Sequence, residues 1–166
     1  MNNQNIAIYP GTFDPITNGH IDVIERASAI FSKVYVVIAI NSRKATLFNE
    51  DEREELARIS LDYIPNVEVV RSHILTVEFA RKVGATSIIR GIRAISDFDF
   101  EFQIALMNRK LDPEIHTLFL LPNEKYTYLN SSIVRELARY GRDVSEFVPK
   151  IVAEKLKMKF KEQNNV

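Results

Sequence analysis

Residues 6–20 read Ile-Ala-Ile-Tyr-Pro-Gly-Thr-Phe-Asp-Pro-Ile-Thr-Asn-Gly-His. Ile6 to Tyr9 form a short apolar run with β-branched and aromatic members, bounded by Pro10-Gly11, which predicts a buried strand. Apolar residues then recur at Ile21, Ile24, Ala27, Ile30 and Phe31, a helical spacing. The connection between them ends in Thr17-Asn18-Gly19-His20, where the helix should begin. Such a junction favours an anion, because a helix N-terminus leaves N–H groups unpaired and carries partial positive charge. Gly11 and Gly19 lack Cβ atoms and would let a ligand approach the main chain. Thr12 can donate a hydroxyl, and His20 can present a ring N–H to a phosphate oxygen. The same residues would also make a sound turn and helix cap with no ligand at all.

The pattern repeats along the chain. Residues 34–40, Val-Tyr-Val-Val-Ile-Ala-Ile, are uninterruptedly apolar, as in a central parallel strand buried on both faces. Asn41-Ser42-Arg43-Lys44 follow at its carboxyl end, where open α/β sheets bind ligands. A helix is expected over 50–63, with acidic Glu50-Asp51-Glu52 at its start, Leu56, Ala57, Ile59 and Tyr63 inward, and Arg53 and Arg58 as surface partners of the acids. Val67–Val70 is the third strand and Val77–Val83 a short helix closed by Gly84. Thr86–Ile89 is the fourth strand, leading into Arg90-Gly91-Ile92-Arg93. Two guanidiniums there form a phosphate clamp or, equally, pair with Asp97, Asp99 or Glu101.

A long helix is expected over 97–110 with an apolar stripe of Phe98, Phe102, Ala105 and Leu106, and Phe100 and Met107 off it. Surplus aromatics there would pack in the core or against another subunit. His116–Leu121 is the fifth strand, with His116 structural and His73 an exposed loop residue. Ser131 and Ser132 precede the helix 133–140 and could cap it or donate to a triphosphate. In the C-terminal helix, about 150–161, lysines alternate with Leu156, Met158 and Phe160, which predicts docking through some of these, followed by a polar tail to 166.

Composition bounds the class. The 166 residues are 46% hydrophobic and 27% charged, which suits one soluble domain with a substantial core. Lys plus Arg equals Asp plus Glu at 22 each, so bulk charge does not call for nucleic acid. Without cysteine there is no thiol chemistry and no disulfide framework. The polar N-terminus does not read as a secretory signal, and no apolar run approaches the ~18 residues of a membrane span. A cytoplasmic protein with no membrane attachment is expected. The five strands and intervening helices predict a doubly wound, five-stranded parallel α/β sheet of Rossmann type over a single domain, 1–166. Neither GxGxxG nor GxxxxGK[ST] is present.

Three spaced motifs carry a resemblance from Ile6 to about Pro149. Residues 11–20 resemble the T/HxGH signature of the nucleotidyltransferase superfamily, in the GTFDPxTxGH form of the phosphopantetheine adenylyltransferase family of bacterial coenzyme A synthesis. Residues 89–101 match IRGxRxxxDFxxE. Leu129-Asn130-Ser131-Ser132 stands where the family carries an ISSS/T run, with a departure at Asn130 that should alter contact geometry and spare activity.

The resemblance implies a Rossmann-like nucleotidyltransferase fold and transfer of an adenylyl group from ATP to 4′-phosphopantetheine, giving dephospho-coenzyme A and pyrophosphate. Under it His20 stabilises the transition state, beside Thr12. Lys44 and Arg90 hold the incoming phosphate, and Thr76 touches the pantetheine arm. Phe13, Gly91, Ile92, Arg93, Glu101 and the run Tyr126, Thr127, Tyr128, Leu129, Asn130, Ser131 and Ser132 form the ATP site. Mg2+ would bridge the phosphates, and the assembly would be a homohexamer. Three other readings compete. One is a sibling enzyme acting on glycerol phosphate, choline phosphate or nicotinamide mononucleotide. Another is a nucleotide-binding module without catalysis. The last is an interaction protein using the aromatic helix 98–107.

Overall fold

The computed structural model describes residues 5–40 and 45–164. Five parallel strands, β1 (Ile6–Gly11), β2 (Lys33–Ala39), β3 (Val67–Ser72), β4 (Ser87–Gly91) and β5 (His116–Leu120), form one sheet in the order β3-β2-β1-β4-β5. The first five helices connect or follow the strands: α1 (Asn18–Ile30), α2 (Glu50–Leu61), α3 (Thr76–Lys82), α4 (Ile95–Leu111) and α5 (Ser131–Arg139). The sixth, α6 (Lys150–Asn164), closes the chain, and a single 3-10 turn spans Glu124–Tyr126. The sheet is doubly wound as expected. Strand order reverses between β1 and β4, and ligand crevices open at the carboxyl ends of strands flanking such a point.

Apolar continuity explains the strand positions. β1 is buried along five of its six residues, whereas the edge strands β3 and β5 are buried only in part. One sheet face carries Val36 and Ile38 against Ile24 of α1, Leu56 of α2, Val134 of α5 and Leu156 of α6. The other packs Ile8 and Ile88 against Val77, Phe79 and Ala80 of α3. α6 docks through Val152, Leu156 and Phe160, one per turn, and leaves Met158 56% exposed. No described helix is long and apolar enough to cross a membrane.

Two expectations fail in α2, and in α4 packing in the core is excluded for the apolar stripe. In α2 the buried face runs through Arg53, Leu56, Ala57, Ser60 and Leu61. At 3.6 residues per turn Ile59 lies roughly 130° away from that face, and it and Tyr63 are exposed. Tyr63 lies past the helix end, where its hydroxyl donates to Glu25 at 2.6 Å. Arg53 is no surface partner of an acid: it is 4% exposed and donates to main-chain carbonyls. Arg58 does pair on the surface, though with Glu54 rather than the acids at the helix start. In α4 the stripe is not covered, with Phe98 42%, Phe102 44% and Leu106 41% exposed. β5 is the sheet edge, and the Phe119 ring on it lies 6.0 Å from the Phe98 ring. His73 is an exposed loop residue as expected, whereas His116, expected to be structural, is exposed at the start of the edge strand β5.

Candidate active site

A cavity of about 440 Å³ opens at the carboxyl ends of β1, β2 and β4, within the range of small-molecule pockets. Its floor is the loop from β1 to α1. Phe13 adopts φ 48° there, uncommon for a residue with a Cβ, and its ring folds back under the loop. A Cβ on Gly11 would stand 2.8 Å from that ring. The space that glycine creates is thus filled by Phe13, not kept open for a ligand. Gly19 sits at ordinary contact distance from Tyr126 and Leu129. Phe13 itself is 3% exposed, edge-on to Tyr9 and His20 with centroids 5.5 and 5.1 Å away.

His20 is held by the start of its own helix. Thr17 is the N-cap of α1; its side chain accepts from the His20 N–H, and its own N–H donates to His20 Nδ1 at 3.1 Å. A backbone N–H can only donate, so Nδ1 accepts and the neutral ring carries its proton on Nε2. Burial, and then the charge of Arg93, push the imidazole pKa down from 6.5 to about 4. His20 is therefore a neutral donor at physiological pH, fixed in tautomer and direction by its cap.

The opposite wall is cationic. Arg90 and Arg93 leave the end of β4 on either side of Gly91, where a Cβ would approach the Tyr9 hydroxyl to 3.3 Å. Arg90 donates to both oxygens of Glu101, at 2.6 and 2.7 Å, and to the Pro10 carbonyl at 3.3 Å. Among the described residues these bonds leave two of its five N–H donors unused. Arg93 pairs with Asp97 at 3.3 Å and donates to the Leu129 carbonyl at 3.0 Å. Both sequence readings of these arginines thus meet in one arrangement: they line the cavity, and carboxylates of α4 orient them.

At the third wall Asn130, not a serine, caps α5, accepting from the Ile133 N–H at 2.9 Å. This releases Ser131 to donate to the Pro15 carbonyl at 2.8 Å and Ser132 to accept from Arg135 at 3.2 Å. Neither serine hydroxyl caps the helix.

The structure thus brings Thr12, Phe13, His20, Thr76, Arg90, Gly91, Arg93, Glu101, Leu129, Asn130, Ser131 and Ser132 to one cavity. Ile92 is buried at 8% exposure and does not line it. Tyr126 packs against the core, Thr127 donates to the Glu124 carbonyl, and Tyr128 points outward onto Phe147. Lys44, with Arg43, lies outside the described residues.

Several residues of the site escaped sequence reading. Asp14 is 3% exposed and accepts the Leu47 and Phe48 N–H groups, both at 2.9 Å, while Arg135 of α5 approaches its carboxylate to 3.4 Å. Thr17 orients His20, and Arg53 supports Thr12 from beneath. Their partners are distant in sequence or are main-chain atoms, so residue type alone carries no sign of them. Among the described residues no group of three or more His, Asp or Glu side chains could hold a metal ion. The two acids lining the cavity, Asp14 and Glu101, are already engaged.

Residues 8–137 match the family model for cytidylyltransferase-like proteins. A phosphopantetheine adenylyltransferase from Caldanaerobacter subterraneus subsp. tengcongensis is 52% identical over 156 residues, covering 94% of this chain and 98% of its own. Another, from Methylococcus capsulatus, is 55% identical over 154 residues, covering 93% and 95%. A Vibrio parahaemolyticus crystal structure, provisionally described as a nicotinate-nucleotide adenylyltransferase, superposes with a TM-score of 0.70 over 91% of this chain and 97% of that one. At 22% identity that likeness speaks to the fold.

Proposed function

The chain belongs to the phosphopantetheine adenylyltransferase family, and from that premise we propose how its cavity transfers an adenylyl group from ATP to 4′-phosphopantetheine, releasing dephospho-coenzyme A and pyrophosphate. The 4′-phosphate oxygen attacks the α-phosphorus of ATP in line. The bond from that phosphorus to the bridging oxygen breaks, and pyrophosphate leaves with the electron pair. The nucleophile is already an anion, so no general base is needed. Catalysis rests on alignment and on donors aimed at charge building on the phosphoryl oxygens.

One observation carries the reading: His20, its Nδ1 occupied by the Thr17 N–H, shares a cavity with two arginines and the start of α5. Its Nε2–H is the donor we assign to the α-phosphoryl oxygens. A proton held there at all working pH values suits a stabiliser better than a proton shuttle. Thr12 stands beside it. Arg90 gives its two remaining N–H groups, and Lys44 its ammonium, to the incoming phosphate, with Thr76 along the pantetheine arm. Arg93, Gly91, Glu101, the Phe13 main chain and residues 129–132 receive ATP. We keep Ile92, Tyr126, Thr127 and Tyr128 as neighbours that shape this half of the site rather than as its lining. The two acids lining the cavity, Asp14 and Glu101, already serve other partners, so Mg2+ would fit as a companion of the nucleotide phosphates, lending them charge neutralisation.

The uncovered side of α4 suits another copy of this chain, and a homohexamer is the assembly we propose. We also read the whole chain as one nucleotidyltransferase unit working in the cytoplasm. The test is direct: incubate the protein with ATP, Mg2+ and 4′-phosphopantetheine and follow dephospho-coenzyme A by mass spectrometry. Product is expected with this acceptor. Turnover with glycerol phosphate, choline phosphate or nicotinamide mononucleotide in its place would overturn the reading.

A further inference from the structure

Arg53 is the one charged side chain of α2 on that helix's buried face, and among the described residues no carboxylate pairs with it. Its guanidinium donates to the Thr12 carbonyl at 2.8 Å and to the Ala39 carbonyl at 3.4 Å, while its buried Nε has no hydrogen-bond partner. The nearby acids are committed elsewhere. Glu52 pairs with Lys159 at 2.7 Å, Glu54 with Arg58 at 2.6 Å and Asp51 with Arg71 at 2.7 Å. Asp14 serves the Leu47 and Phe48 amides and Arg135. Among the described residues no carboxylate lies within ion-pair distance of Arg53.

A buried cation without a counter-charge is expensive, and folded proteins keep one only when something else requires it. Arginine stays charged at any working pH, so it cannot escape the cost by losing a proton. The position explains what requires it. Thr12 and Ala39 both line the cavity, so the guanidinium sits one peptide unit behind the cavity wall, at the carboxyl ends of β1 and β2. A fixed positive charge there raises the potential where phosphates lie without occupying their space. The bond to the Thr12 carbonyl also fixes the peptide that presents Thr12.

We infer that Arg53 is a positioning residue whose missing counter-ion is the anionic substrate: it sets the Thr12 peptide from beneath and supplies positive field to the phosphate-binding floor. This rests on the cavity being the phosphate site of the proposed function.

Inorganic pyrophosphate is the probe, titrated with Mg2+ by calorimetry into the wild-type protein and into Arg53→Lys and Arg53→Gln. Lysine keeps the charge and gives up the fork; glutamine keeps hydrogen bonding and gives up the charge. Affinity should follow charge, weakening about tenfold in Arg53→Gln and no more than about threefold in Arg53→Lys, on the scale of charge-assisted contacts. A merely structural role would lower the melting temperature of both variants and leave pyrophosphate affinity alone. That result overturns the inference, as does equal weakening in both.

If neither variant folds, the wild-type protein supplies the readout. The NMR signal of the Arg53 Nε–H should shift as pyrophosphate saturates the site, and a signal unmoved at saturation overturns the proposal. Failure of the wild-type protein to bind pyrophosphate would instead sink the reading of the cavity.

Discussion

The two working walls of the cavity are built on opposite principles. His20 is pinned by main-chain groups of its own helix cap and held uncharged, so its orientation owes nothing to salt or pH above the acid range. Arg90 and Arg93 are permanently charged and are oriented by the carboxylates of Glu101 and Asp97, from another element. A donor for transition-state charge must be exact in direction, and a cap supplies that locally. A substrate clamp must offer charge while staying extended into the cavity, and an acid behind each guanidinium supplies that.

The widest separation between the walls should appear on removing each donor. His20→Ala is expected to lower kcat by ~10²–10³-fold with a much smaller change in ATP affinity, measured by steady-state kinetics beside direct ATP titration. Unimpaired turnover would remove His20 from the chemistry. Next in size, Arg90→Ala and Lys44→Ala should raise the KM for 4′-phosphopantetheine by about 10–100-fold, the scale of a lost charge-assisted bond; a loss confined to ATP would exchange the two substrate assignments.

The contrast in charge can be tested through pH. Arg93 disfavours the imidazolium, so Arg93→Gln should raise the His20 pKa from about 4 toward 6.5, read by NMR titration of the ring. The sign for stability follows from the same shift. The unfolded chain takes up a proton near 6.5 that the native ring refuses until about 4, so stability falls as pH drops through that window. The slope should flatten in His20→Gln. The smallest effect is expected from Thr17→Ala. It removes the side-chain cap but keeps the backbone N–H on Nδ1, costing about 1 kcal/mol in denaturant melts while kcat falls far less than in His20→Ala.

Much of this was legible in the sequence where the physics is local. The strand-to-helix junction at 10–20, the apolar run 34–40 and the arginines after β4 are each contiguous in the chain, and the Thr17–His20 cap and the Arg93–Asp97 pair are made between near neighbours. The sequence misleads where an apolar pattern does not say what covers it. Phe98, Phe102 and Leu106 form a helical stripe, yet the sheet ends at β5 and leaves them exposed. Arg53 misleads in the reverse direction. Beside three acids it resembles a surface residue, but the carbonyls it serves lie 41 and 14 positions away. At Asn130, the departure from a serine run, the side chain caps α5, and Ser131 is bonded to Pro15.

What the sequence determined alone was the alternation of strands and helices and the phosphate-friendly turn after β1, because hydrophobic period and turn chemistry act between residues close in the chain. What only the tertiary structure decided was the orientation of each polar group. The Pro10 and Leu129 carbonyls that Arg90 and Arg93 reach, the Leu47 and Phe48 amides on Asp14, and the buried charge of Arg53 depend on partners delivered by packing. Buried polar atoms take whichever partner the fold brings within about 3 Å.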